Sequence, residues 1–179
     1  MRKSKPYSPA AVKKRELLPK DSYLRKKPNP DGAVCGECGA VYHSKRWALP
    51  AKGTSVSLKA RTSIPAVVTC PACQKTRDKY PGGVVTLRGR FLDGHRDEIL
   101  NLVRNEEARA RGYNPLEKII EIKSRAGGIE VTTTTEKLAQ RIGREVKKAY
   151  GGTLGYTWSH DVKFARVGWE REKEGREPR

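Results

Sequence analysis

Acidic side chains are in short supply in this 179-residue chain: Asp and Glu number 20 against 38 Lys and Arg, a formal charge of +18. That imbalance says little about fold, but it predicts attraction to polyanions and a steep salt dependence of binding. Nucleic acid is the first such partner and a membrane surface the second. Long apolar runs are missing, so neither a spanning helix nor an anchor is expected. Hydrophobic residues make up 36 % and aromatic residues 7 %, which suits small modules with unfolded basic ends rather than one large core. Catalytic signatures are missing too: there is no Walker A loop, no GxSxG elbow and no HExxH helix. Asp93-Gly94-His95 reads as a helix cap beside an exposed imidazole. The glycine-rich stretch at 151–155 follows a helix rather than a strand, which makes a poor phosphate loop, and His160 with Asp161 suits a hairpin tip. The expectation is a chain with no enzymatic activity and no small-molecule substrate.

Cysteine is sparse as well, and the four present fall in two matched pairs, Cys35-Gly36-Glu37-Cys38 and Cys70-Pro71-Ala72-Cys73. Two thiolates three positions apart sit on one tight turn and offer two corners of a tetrahedron. A second such turn supplies the other two, a closed set that suits one structural Zn²⁺ and leaves no open position for chemistry. Gly39 and Pro71 are turn formers that let backbone N–H groups approach the sulfurs. Disulfides are the first alternative, but no charged n-region and apolar h-region precedes the cysteines, and a cytoplasmic chain is expected. A redox dithiol is the second; a matched second pair makes metal the simpler account. His43 lies near the first pair and reads as an exposed or hydrogen-bonded residue, since four cysteines complete the site.

Taken in order, residues 1–30 hold ten cations, among them Lys13, Lys14, Arg15, Arg25, Lys26 and Lys27, against Glu16 and Asp21, with five prolines interrupting any helix. They read as a disordered basic arm that orders along phosphates. Residues 31–80 read as a zinc ribbon, with short strands at 41–42, 55–58 and 66–69. Lys45 and Arg46 stand there beside Trp47, whose ring either stacks on an unpaired base or covers the ribbon's small core; both readings stay open.

From residue 81 the pattern becomes regular. Val85, Leu87 and Phe91 alternate with Thr86, Arg88 and Arg90, a half-buried strand with a basic outer face. A helix capped by Asp93 follows, with Ile99, Leu102 and Val103 as its stripe, ending at Gly112 and Asn114-Pro115. A strand at 116–124, with Leu116, Ile120 and Ile122 on one face, and another at 129–133 come next. Thr133 and Glu136 then form a capping box for a helix that buries Leu138, Ile142, Val146 and Ala149. One or two strands at 154–158 and 162–169 close the unit. The expected class is α+β: a zinc ribbon followed by a ferredoxin-like βαββαβ domain over 81–169, then a polar tail, 170–179.

The recurring chemistry is basic. Arg88 and Arg90 point outward from a strand, and Arg141, Arg144, Lys147 and Lys148 populate the second helix. Shared by arm, ribbon and helices, this bias predicts a continuous polyanion surface. The strands carry no ring pattern of the kind that reads single-stranded sequence, so backbone and shape recognition of folded RNA is favoured. A DNA-binding zinc-ribbon regulator is the alternative, lacking an obvious recognition helix.

The cysteine pairs, together with the passage from Gly128-Ile129-Glu130-Val131 to Lys137-Leu138-Ala139-Gln140-Arg141-Ile142, resemble the archaeal and eukaryotic adaptor family that accompanies the large ribosomal subunit during export and maturation. That family carries more metal-binding cysteines and further domains. What the resemblance implies for this shorter chain is a zinc-bound knuckle region and association with rRNA, a ribosomal subunit or its assembly intermediates.

Overall fold

A computed structural model describes residues 23, 27–50, 65–159 and 164–172. The arm cations Lys13, Lys14, Arg15, Arg25 and Lys26, the strand expected at 55–58, His160 with Asp161, and the tail from 173 lie outside them. The structure is α+β, with two sheets and three helices among the described residues.

The cysteine-bearing unit comes first. Strands β1 (Val34–Cys35), β2 (Val41–His43), β3 (Arg46–Ala48) and β4 (Val67–Val68) form a sheet ordered β3-β2-β1-β4. In the β2–β3 hairpin Tyr42 faces Trp47 and His43 faces Arg46. Its turn residues Ser44 and Lys45 have φ of 48° and 63°, left-handed values whose twist matches the flanking strands. The Asp31 carboxylate holds this turn, accepting from the Ser44 amide at 2.8 Å and pairing with His43 Nδ1 at 2.8 Å. Around the second cysteine pair the sequence reading expects only a turn, yet the chain forms helix α1 (Pro71–Arg77). Cys70 is its N-cap, with Sγ accepting from the Cys73 N–H. Pro71 opens it where a missing N–H costs nothing, and Lys75 and Arg77 complement the dipole at its end.

The larger unit contains β5 (Gly83–Arg88), α2 (Phe91–Tyr113), β6 (Ile119–Arg125), β7 (Gly128–Thr133), α3 (Glu136–Tyr150), β8 (Thr153–Trp158) and β9 (Ala165–Glu170). Its sheet runs β6-β7-β5-β9-β8, antiparallel throughout except that β9 lies parallel to β5. This departs from the βαββαβ expectation: two strands follow α3, and the second is inserted between the first and β5. Burial explains the choice. Ala165, Val167 and Trp169 of β9 are buried and alternate with exposed Arg166, Gly168 and Glu170, the pattern of a strand paired on both sides beneath helices. In β8 only Leu154 is partly covered, as suits an edge.

Val85, Leu87, Ile129, Val131, Val167 and Trp169 meet Ile99, Val103, Leu138, Ile142 and Val146 in one core, so both long helices cover the same face of the sheet. Gly143 brings α3 down onto that face: a Cβ there would lie 2.5 Å from Val167 Cγ1. The other face is open and of mixed charge, with Arg125 paired to Glu130 at 2.9 Å and Lys123 to Glu121 at 2.8 Å.

Several local expectations shift. The α3 cap is Thr135, whose side chain accepts from the Leu138 amide, because the Thr133 hydroxyl is taken by the carbonyls of Gly83 and Thr135. Ala149 is exposed and Gly143 takes its place on the buried face. A bulge between Ile119 and Glu121 turns Ile119 and Ile122 to the core and leaves Leu116 to pack on the cysteines. Helix α2 starts at Phe91, before Asp93, and kinks at His95 (φ −124°, ψ 17°). Gly89, at φ +105° and with no room for a Cβ beside the Arg171 carbonyl, turns the chain ahead of it. Arg90 therefore sits at the α2 N-cap and not on β5.

Candidate metal centre and the adjoining cleft

Cys35 ends β1, Cys38 sits in the turn that follows, Cys70 caps α1 and Cys73 lies in its first turn. The four Sγ atoms lie within 4.8 Å of one another. Cys35 to Cys73 and Cys38 to Cys70 are each 3.8 Å apart. Thiolates at about 2.3 Å from a tetrahedral ion stand about 3.8 Å from each other. The set therefore fits such an ion, whereas a disulfide needs about 2.05 Å, and all four cysteines are free. Ala40 and Ala72 are buried among them, with Trp47, Leu49 and Leu116 packed around. His43, exposed and engaged by Asp31, is outside the donor set.

Backbone amides point at the sulfurs: Cys70 N–H donates to Cys35 Sγ and Cys73 N–H to Cys70 Sγ, both at 3.4 Å. Burial pushes the Cys35 thiol up, but amides of Cys70, Glu37 and Cys38 outweigh it and bring the group down to about 7. Burial dominates at Cys70, which is pushed up strongly, and at Cys73, pushed up to about 11 despite its bond from Lys118. Four thiolates around a divalent ion leave two excess negative charges in a mostly buried place. The Lys118 ammonium, donating to Cys73 Sγ at 3.0 Å, offsets one of them. Burial would push this lysine down, yet its bond to Cys73 and the neighbouring sulfurs raise it, so it stays charged. Lys118 comes from the larger unit, 45 positions after Cys73. Nothing in the linear pattern ties the two, and the sequence reading misses it. Lys118→Met is expected to weaken metal binding about 10- to 100-fold, the usual cost of losing a partner that orients a ligand. Competition with a chromophoric chelator measures it; affinity within twofold of the parent would show that the lysine does not serve the site.

The larger unit meets the cysteine unit at Thr134 and at Lys118. The Lys118 backbone exchanges bonds with Thr134 at 2.9 Å in each direction. The Thr134 hydroxyl donates to the Leu116 carbonyl at 2.6 Å, and Lys75 Nζ reaches the Thr134 carbonyl at 3.4 Å. Between the units lies a cleft of about 630 Å³. Tyr42, Lys45, Arg46 and Trp47 line it from the hairpin and Tyr23 and Lys27 from the segment before it; Gln74 of α1, Tyr113 at the end of α2 and Lys137 in the first turn of α3 also face it. No Asp or Glu is among the described lining residues. Nor does any ion pair among the described residues hold Lys27, Lys45, Arg46 or Lys137.

Four sequence-nominated residues, Lys27, Lys45, Arg46 and Trp47, thus come together. Trp47 packs edge-on against Tyr42 (5.3 Å between centroids) and over the cysteine cluster, as the core reading expects, and its remaining surface lines the cleft. Tyr113 and Gln74 were missed, although a tyrosine directly before the helix-ending Asn114-Pro115 was a signal for an exposed ring. The other nominated cations lie elsewhere. Arg88 and Arg90 line a second depression at the far end of β5, beside Arg96 and Arg125 but also Asp93, Glu170 and Glu172. Arg141 faces the buried Glu117 carboxylate at 3.8 Å, while Arg144, Lys147 and Lys148 are exposed on α3. No helix among the described residues is long and apolar enough to cross a membrane. Comparison of the chain with protein-family models, curated proteins and solved structures finds no match.

Proposed function

We propose that this chain is a non-enzymatic, cytoplasmic zinc protein that binds structured RNA, on the ribosome or its assembly intermediates. In this reading the N-terminal unit is a zinc ribbon held by Cys35, Cys38, Cys70 and Cys73. The larger unit is a variant of the ferredoxin-like arrangement with one strand inserted. The observation that supports RNA most directly is the cleft: four cations and four aromatic rings, with no carboxylate among the described lining residues. Carboxylates would repel phosphates, rings offer stacking to unpaired bases, and cations neutralise the backbone. The resemblance to the ribosomal adaptor family points the same way.

Filter binding of a structured rRNA fragment over a range of salt, with duplex DNA as competitor, tests the proposal. Replacing Lys45, Arg46 and Lys137 together by Gln should make the plot of log affinity against log salt shallower by about 2 to 3, with a loss of about 100-fold at physiological salt. An unchanged slope would remove the cleft from the phosphate-binding surface. Duplex DNA competing as well as the RNA would favour a DNA-binding regulator. On a sucrose gradient the protein should co-migrate with a ribosomal subunit at low salt and leave it at high salt.

A further inference from the structure

Resting on the RNA reading, we infer that the cleft seats a single unpaired nucleotide, so that the partner is a folded RNA carrying a bulged or flipped-out base. Three observations carry this beyond general attraction to RNA. The first is shape. A cavity of about 630 Å³ falls in the range of small-ligand sites, about 300–1,000 Å³; it has room for one nucleotide and excludes a duplex. Helical RNA can touch its rim with phosphates only.

The second is the placement of rings. Trp47 and Tyr42 come from the hairpin next to the metal centre and Tyr113 from the end of α2, so aromatic surface enters from both units. Tyr113 is 84 % exposed, so the folded chain itself covers little of this side chain. Burying one face of it against a base recovers area that the fold leaves in water.

The third is the arrangement of polar groups. Lys45 and Arg46 stand beside Trp47 on the hairpin, and Lys137 lies in the first turn of α3. An extruded nucleotide brings its own phosphates with it, and cations flanking a ring match that geometry. The Gln74 amide, both donor and acceptor, is available to the edge of a base. On the open face of the larger sheet Arg125 and Lys123 are paired to Glu130 and Glu121, and the depression that Arg88 and Arg166 line there also holds the Glu170 carboxylate, which the cleft's lining lacks.

The test uses the zinc-loaded full chain and two hairpin RNAs identical except for one bulged adenosine, read as the ratio of their dissociation constants. Stacking of a single base predicts that the bulged hairpin binds at least tenfold more tightly. Tyr113→Ala should bring the ratio near one; this ring is so exposed that its loss leaves the fold intact. Trp47→Leu should do the same, with bound zinc measured alongside because Trp47 also packs on the cysteines. Equal binding of both hairpins by the parent chain would overturn the nucleotide site while leaving RNA binding standing. A preference that survives Tyr113→Ala would overturn its assignment to this cleft. Binding of neither hairpin, or of any RNA tried, would remove the RNA reading and this site together.

Discussion

Cys70→Ser is expected to leave the purified chain with no bound zinc and its N-terminal unit unfolded. The strands there are two or three residues long, and the buried cluster they enclose is built from cysteines and alanines. A sheet of that size does not hold itself together in water. Metal bound by four thiolates is worth about 10–16 kcal/mol of apparent free energy in small zinc units, most of which appears as folding. Cys70 has a double part, because its sulfur is also the acceptor that caps α1. Serine removes the thiolate while keeping a capping oxygen, so the loss can be assigned to the metal. Limited proteolysis should cut the variant within 31–80 and spare 83–170, whose core is separate. Chelator treatment of the parent chain should reproduce this pattern and change nothing in the variant. Unchanged metal content with unchanged protection would mean that the sulfur cluster is packing alone. The variant should also lose any cleft-dependent RNA binding, since the Trp47 wall belongs to the unit that unfolds.

The cysteine centre was legible because its chemistry is local: each pair occupies one turn, and the pairs need only be brought together. The helix at the second pair was hidden for a related reason. A seven-residue helix has no room for a periodic stripe, and its cap is the same cysteine already assigned to the metal. In the larger unit, elements with clear alternation, such as 83–88 and 128–133, were readable from that alternation. The order of the last two strands was not. Both β8 and β9 carry large apolar residues at alternate positions, and only the packed structure shows that Trp169 is buried while Trp158 is about half exposed. The cleft was half legible. Lys45, Arg46 and Trp47 are neighbours in sequence, but Tyr113 and Lys137 reach the same space only through the way α2 and α3 end and begin beside the cysteine unit. Lys118 belongs to the same class of long-range consequence: a cation that shields thiolates is chosen by the docking of two units.

Trp169→Ala is expected to cost the larger unit about 3–5 kcal/mol, the range for a large aromatic lost from a core. Trp169 is 1 % exposed and packs edge-on against Phe91, 6.4 Å between ring centroids. Its indole N–H donates to the Gly151 carbonyl at 2.7 Å, securing the chain where α3 gives way to β8. Alanine therefore opens a cavity and also leaves that carbonyl without its partner, two penalties of separate origin. Trp169→Phe separates them: it refills most of the cavity but cannot donate, and should cost nearer 1–2 kcal/mol. Urea unfolding followed by far-UV circular dichroism measures both. The result bears on topology as well as stability, because a fully buried tryptophan is what the inserted position of β9 beside β5 demands. A cost below 1 kcal/mol for Trp169→Ala would place β9 at the sheet edge and β8 within. The cleft lies at the other end of β5, where Gly83 faces Thr133, so at low temperature the folded variant should keep the parent's preference between bulged and perfect hairpins. Loss of that preference in a fully folded variant would show that the two ends of the sheet communicate, which rigid packing of the core does not provide for.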